Sequence, residues 1–112
     1  MATKEDHYDR AVDCVADGDL EGAVKAYLDA IALDAGYADA WEGLAIASSS
    51  LGRHQQAIDA AKRLVDLTPE EVLAHTTLSR VYQAANMIAE AEEAGGRARI
   101  LDWKRQLKEG GG

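Results

Sequence analysis

The feature that most constrains this chain is a repeat of 34 residues. Gly18, Gly52 and Asn86 are spaced by that step, as are Ala23, Ala57 and Ala91, and Leu33, Leu67 and Leu101. Ala30, Leu64 and Ala98 keep it too, and so do Leu44 and Leu78. Self-similarity at a period of 20–50 residues marks a stack of like units, each burying its apolar face on the next. The chain has 112 residues, one Pro and no Phe. That length suits one domain, 1–112, and is enough to bury a core without disulfides or metals.

Within each unit the residue at 18, 52 or 86 is one that tolerates the left-handed conformation following a helix C-terminus. Asp19 stands where it can cap the helix that follows. Apolar residues fall at helical spacing, as with Leu73, Val81 with Tyr82, and Ala85, and nothing alternates as a strand would. The pattern predicts helices near 5–17, 20–34, 38–51, 54–67, 69–85 and 88–101. Thr68-Pro69-Glu70-Glu71 reads as a capping box that opens the fifth helix, with Thr68 as N-cap and Pro69 at the first helical position. Thr3 with Asp6 is a weaker version. With no Pro after the last unit, the sixth helix can run on through residues 102–109. Gly110-Gly111-Gly112 is expected to be disordered.

These residues resemble the tetratricopeptide repeat (TPR) family over about residues 4–103. The second unit carries the pattern as Trp41, Leu44, Ala45, Gly52, Ala57, Leu64, Leu67 and Pro69. The first carries Gly18, Ala23, Tyr27, Ala30 and Leu33, and the third Leu78, Tyr82, Ala91, Ala98 and Leu101. The resemblance implies an all-α fold: three helix-turn-helix repeats, about 4–37, 38–71 and 72–105, in a right-handed α-solenoid with a C-terminal helical extension. Ala23, Ala57 and Ala91 then sit where the two helices of a unit cross closely. The pattern also breaks in places. The aromatic of the second helix is Tyr27 in the first unit but Ala61 and Gly95 in the others. The small residue of the first helix is Ala11, Ala45 or Ser79, and the closing Pro is replaced by Ala35 and Trp103.

Chemistry is sparse. His7, His54 and His75 have no partner at metal-ligand spacing. Ser48, Ser49 and Ser50 lack any nucleophile elbow or phosphate loop. Cys14 reads as a buried structural thiol on an inward face with Ala11, Val15 and Leu20, and Trp41 as a packing residue. Neither enzyme activity nor a cofactor or metal is expected. The formal charge of −8, from 12 basic and 20 acidic residues, excludes a general nucleic-acid or anionic-membrane binder. Acid concentrates in residues 1–37, at −6, while 72–112 carry +1. No apolar run is long enough for a membrane span or a leader peptide. A cytoplasmic protein, monomeric or weakly self-associating, is the expectation.

The resemblance implies a protein-interaction scaffold whose first helices line a concave groove. At helical spacing their inner faces present Glu5, Tyr8, Asp9 and Val12, then Asp39, Glu42, Gly43, Ile46 and Ser49, then Leu73, Thr76, Thr77, Arg80 and Gln83. This lining is acidic at one end and apolar in the middle. It calls for a protein or peptide partner with basic residues flanking an apolar anchor. Some TPR domains hold the acidic tails of Hsp70 and Hsp90 chaperones with a carboxylate clamp of Lys, Asn and Arg. The clamp places here are Tyr8, Val12, Gly43, Leu73 and Thr77, none of them cationic or amide, so no clamp is expected. The alternative is an assembly or oligomerisation subunit acting through its C-terminal helix, with Gly95, Gly96 and Trp103 as the cue. Gly95-Gly96 inside a helix would suit close approach by another helix.

Overall fold

A computed structural model describes residues 1–110. Six helices follow in order: α1 (Lys4–Ala16), α2 (Leu20–Leu33), α3 (Ala38–Ser50), α4 (His54–Leu67), α5 (Val72–Ala84) and α6 (Ile88–Gly110). Among the described residues there is no strand. The helices pair as α1 with α2, α3 with α4 and α5 with α6, and each hairpin packs on the next through α2–α3 and α4–α5. The radius of gyration is 14.9 Å, above the roughly 13 Å of a compact chain of this length, as a short stack requires.

The 34-residue period is written into the backbone. Gly18, Gly52 and Asn86 adopt φ of 79°, 77° and 61°. At each of these helix ends the same pair of bonds forms. The N–H groups of Asp19, Arg53 and Met87 donate to the carbonyls of Cys14, Ser48 and Tyr82, at 2.8–2.9 Å. Those of Gly18, Gly52 and Asn86 donate to Val15, Ser49 and Gln83, each at 3.0 Å. This is the Schellman ending, which satisfies the last carbonyls and turns the chain back. At the starts, Thr3 and Asp6 form a reciprocal capping box, and Asp19 accepts from the Gly22 N–H at 2.9 Å.

The fifth helix departs from expectation. Thr68 does not open α5; it closes α4. Its N–H and its hydroxyl both donate to the Leu64 carbonyl at 2.9 Å. The Glu71 N–H then bonds to the Thr68 carbonyl, and α5 begins at Val72 without a side-chain cap. Asp34 and Tyr37 make the same turn one period earlier. His75, 5% exposed, adds a bond from its Nε2 to the Pro69 carbonyl.

The core is built from small residues. Ala11, Ala23, Ala30, Ala40, Ala45, Ala57 and Ala61 are fully buried, so helices meet at close range with Leu44, Tyr27, Ile58 and Val81 filling the gaps. Ala57 and its equivalents Ala23 and Ala91 are all within this core. Cys14 and Trp41 are partly buried and pack against it, and the Trp41 indole N–H donates to the Ala35 carbonyl. Val15, expected inward beside Cys14, is exposed instead, because the α1 face it occupies has no neighbour. In the last hairpin Ser79 donates to the Ala91 carbonyl at 2.8 Å, and a side chain at Gly95 would crowd Ser79. Gly95 thus serves the α5–α6 contact inside the chain. Gly110, expected in a disordered tail, ends α6; Gly111 and Gly112 lie outside the described residues. Trp103 lies on the extended part of α6 and is 60% exposed.

Candidate partner-binding groove

Besides the contacts through α4, α3 and α5 meet directly, whereas α2, α4 and α6 have no direct contact of that extent, and neither do α1 and α3. The α3–α5 contact marks the inner side there, and the 34-residue step sets α1 in the same inner layer. The 34-residue step sets the same positions of successive helices side by side, so the expected residues form rows: Glu5, Asp39, Leu73; Tyr8, Glu42, Thr76; Val12, Ile46, Arg80.

Two clefts lie between α3 and α5. One, of about 230 Å³, brings together Asp39, Glu42 and Leu73 with Ala38, Leu64, Thr68, Glu71 and Ala74. The other, of about 170 Å³, brings together Ile46, Ser49, Thr77 and Arg80 with Ser50, Val81 and Ala84. Val12, Ile46 and Leu73 are exposed although apolar, at 43%, 40% and 53%. Glu5, Asp9 and Gln83 are exposed and outside both clefts. Thr76 spends its hydroxyl on the Val72 carbonyl at 3.1 Å. Two expected residues have other work. Thr77 is 2% exposed, a wall of its cleft with almost no surface for a partner. Gly43 is covered by Tyr27, since a Cβ on Gly43 would overlap the phenol ring.

At the α1 end the layer carries three of the chain's four tyrosines. Tyr8 stands 5.8 Å from Tyr27 and 5.4 Å from Tyr37, centroid to centroid. Lys4 lies over the Tyr37 ring at 5.1 Å and pairs with Asp34 at 2.6 Å. Burial first, then the charges of Asp39 and Glu42, pushes the Tyr8 phenol above its ordinary pKa. Tyr27 is raised by burial, then by Tyr8 and Glu42. The Glu42 carboxyl is itself raised, mainly by burial and then by Asp39, with Arg80 opposing. Charges on α1, α3 and α5 therefore act on one another across the layer.

Tyr27, Tyr37 and Glu71 were not among the expected lining residues. The first two could have been found by following the equivalence of Tyr8 and Glu42 to their neighbours in the preceding hairpin and link. Elsewhere, a cleft of about 320 Å³ between α4, α5 and α6 is lined by Lys62, Asp66, His75, Glu93 and Arg97 among others. It shares no residue with the groove rows.

Residues 38–71, the middle hairpin, match the tetratricopeptide repeat family. No curated protein matches the chain by sequence. Among solved structures the chain is similar to the crystal structure of MamA, with 25% identity and a TM-score of 0.86 over 92% of this chain and 60% of that one. It therefore spans less than two thirds of that relative. It is similar also to the TPR2B domain of yeast Sti1, solved as a complex with pHsp70, at 24% identity and TM-score 0.84 over 90% of this chain and 81% of that one. The second TPR of Spaghetti (RPAP3), bound to the Hsp90 peptide SRMEEVD, gives 18% identity and TM-score 0.81 over 88% and 92%. The family match is thus confined to the middle hairpin, and the six helices share the fold of these solved structures. Among the described residues, no helix is long and apolar enough to cross a membrane.

Proposed function

We propose that the chain is a protein-interaction scaffold that seats a partner segment along α1, α3 and α5, and that it catalyses no reaction. The observation that carries this is the exposed apolar set Val12, Ile46 and Leu73 on the inner layer, rimmed by Glu5, Asp9, Asp39 and Glu42. An apolar centre with a charged rim is the anatomy of a binding surface, and burying one such side chain contributes about 1.5–3 kcal/mol. Two similar folds are known with Hsp90 or Hsp70 ligands in place, which supports peptide recognition by this architecture. The complementary segment carries one or two basic residues beside an apolar anchor, and its affinity falls with salt.

The deciding experiment is Ile46→Arg in the full chain, with capture of the native partner as the readout. Capture is lost while the helical spectrum is unchanged. Retained capture by this folded variant, together with loss on deleting residues 102–112, would shift the interface to α6. That second reading has an observation of its own: Ile100, Trp103 and Leu107 stand 53%, 60% and 54% exposed on α6. The acidic rim sets a further expectation. A peptide ending in EEVD gives no micromolar binding by calorimetry, because Tyr8, Val12, Gly43, Leu73 and Thr77 offer its carboxylates no cation or amide.

A further inference from the structure

The sixth helix carries a segment of the kind the groove calls for. α6 has 23 residues, against 13 or 14 in every other helix, so its last turns run past the hairpin. On this extension Ile100, Trp103 and Leu107 stand exposed at i, i+3 and i+7, which places them in one stripe. At roughly 100° of turn per residue, Lys104 and Lys108 fall on one flank of that stripe and Arg99 on the other. All three are exposed, and none takes part in an ion pair among the described residues. The acids of the segment are occupied or turned away. Asp102 accepts from Arg105 and Gln106, and Glu109 falls on the far side of the helix from the stripe.

The groove is the complement of this stripe. Val12, Ile46 and Leu73 are exposed on it, and the rim of Glu5, Asp9, Asp39 and Glu42 takes part in no ion pair among the described residues. Arg80 is the one cation of the lining rows. The chain does not fill this groove with its own last helix. α6 packs on α5 and has no contact of that extent with α1 or α3. Its extension borders the start of α5, where Glu70 and Glu71 share a cleft of about 260 Å³ with Lys104 and Lys108 and pair with neither. In size the segment also fits. Arg99 to Lys108 measures about 15 Å as a helix, enough to lie across two first helices whose axes are roughly 8–10 Å apart.

We propose that the groove takes the α6 extension of a second copy of this chain, with the Trp103 stripe on Ile46 and its apolar neighbours and with Arg99, Lys104 and Lys108 against the acidic rim. The proposal rests on the groove reading above and names the occupant. Charge favours this pairing over like with like: residues 1–37 carry −6 and 72–112 carry +1, so two copies attract end to opposite end. An exposed apolar stripe flanked by cations is the form of a helix that lies in a groove. Groove and stripe are different parts of the chain, so the contact is heterologous. Each copy keeps one groove or one extension for the next, and association runs on into short chains or closes as a ring.

The test is sedimentation velocity of the full chain from about 10 μM to about 1 mM, the range of a small contact with a charged rim. The average mass rises with concentration and falls back with added salt. Ile46→Arg spoils the groove and Trp103→Glu spoils the stripe. Both side chains are exposed, so each variant keeps the helical spectrum. Each weakens self-association about tenfold or more, as loss of one buried apolar anchor should. Mixing the two variants is the decisive step. One brings an intact stripe and the other an intact groove, so the mixture forms a one-to-one dimer and grows no further. A mixture that stays monomeric overturns the proposal. So does Ile46→Arg associating as strongly as the parent, which would pair α6 with α6, and so does a parent that is monomeric throughout. The two readings fail separately. A monomeric parent whose native partner is lost in Ile46→Arg keeps the groove and removes the second copy as its occupant. Undiminished self-association together with undiminished partner capture in Ile46→Arg removes both.

Discussion

The joint between α2 and α3 and the joint between α4 and α5 lie one 34-residue step apart and are filled in opposite ways. At the first, Tyr27 of α2 rests on Gly43 of α3. At the second, the equivalent places hold Ala61 and Thr77, which are 0% and 2% exposed. A large ring over bare backbone is exchanged for a small side chain facing a branched one. Between the two joints the bulkier side chain moves from the second helix to the first helix that follows it. The loss of the second-helix aromatic in the middle hairpin is therefore compensated in part across the joint.

The largest expected effect tests this exchange directly. Tyr27→Ala removes a buried ring and costs about 3–5 kcal/mol in denaturant unfolding, in the range for buried aromatics. Gly43→Thr alone overpacks the same joint and costs about 1–3 kcal/mol. Together the two substitutions rebuild the Ala61–Thr77 arrangement at the first joint. Their sum should then exceed the cost of the double variant by about 1–3 kcal/mol of coupling. Strict additivity would show that the two joints are unrelated solutions.

A middle-sized effect comes from a place where no exchange occurs. Ala23, Ala57 and Ala91 are the same residue in all three hairpins, each at most 2% exposed. Ala57→Leu should cost about 1–3 kcal/mol by overpacking. A melting temperature unchanged by Ala57→Leu would contradict the close crossing within the hairpin.

These two cases mark what the sequence made legible. Positions where the repeat keeps one residue type could be read at once: the left-handed turns at Gly18, Gly52 and Asn86, the crossing alanines, and all helix boundaries to within about a residue except the start of α5, with α6 running on through its expected extension. The rows of the inner layer followed from the same step. Where a local motif competed with the period, the period won. Thr68-Pro69-Glu70-Glu71 has the letters of a capping box, but Thr68 is one step from Asp34, which ends α2, and both serve as C-caps. The Tyr27–Gly43 joint was hidden for a different reason. Gly43 looked like open groove surface because its filling comes from another helix 16 residues away, and helical spacing on α3 alone carries no trace of it. Thr77, its equivalent, was misplaced for the same cause.

The smallest expected effect concerns the last difference between the joints, an ion pair found at only one. Lys4 and Asp34 meet at 2.6 Å beside the first joint, while the equivalent places at the second hold Ala38 and Thr68. The Lys4 ammonium, and after it the Gly36 N–H, hold the Asp34 carboxyl below its ordinary pKa, and the same hydrogen bond raises Lys4. A lowered carboxylate pKa contributes stability above its unfolded value, about 4, which is lost as pH falls through the folded value. A raised lysine contributes below about 10.4, and that contribution is lost as pH climbs through its folded value. Between those limits the pair's contribution is flat. Asp34→Asn keeps an acceptor for the Gly36 N–H and removes only the charge, so the difference in stability between parent and variant isolates the pair. Measured by urea unfolding, that difference should be constant from pH 5 to pH 9, shrink below about pH 4, and shrink with added salt at every pH, since both side chains are open to solvent. A difference that persists at pH 3 in high salt would show that the ion pair is not its source, and the two joints would then differ in packing alone.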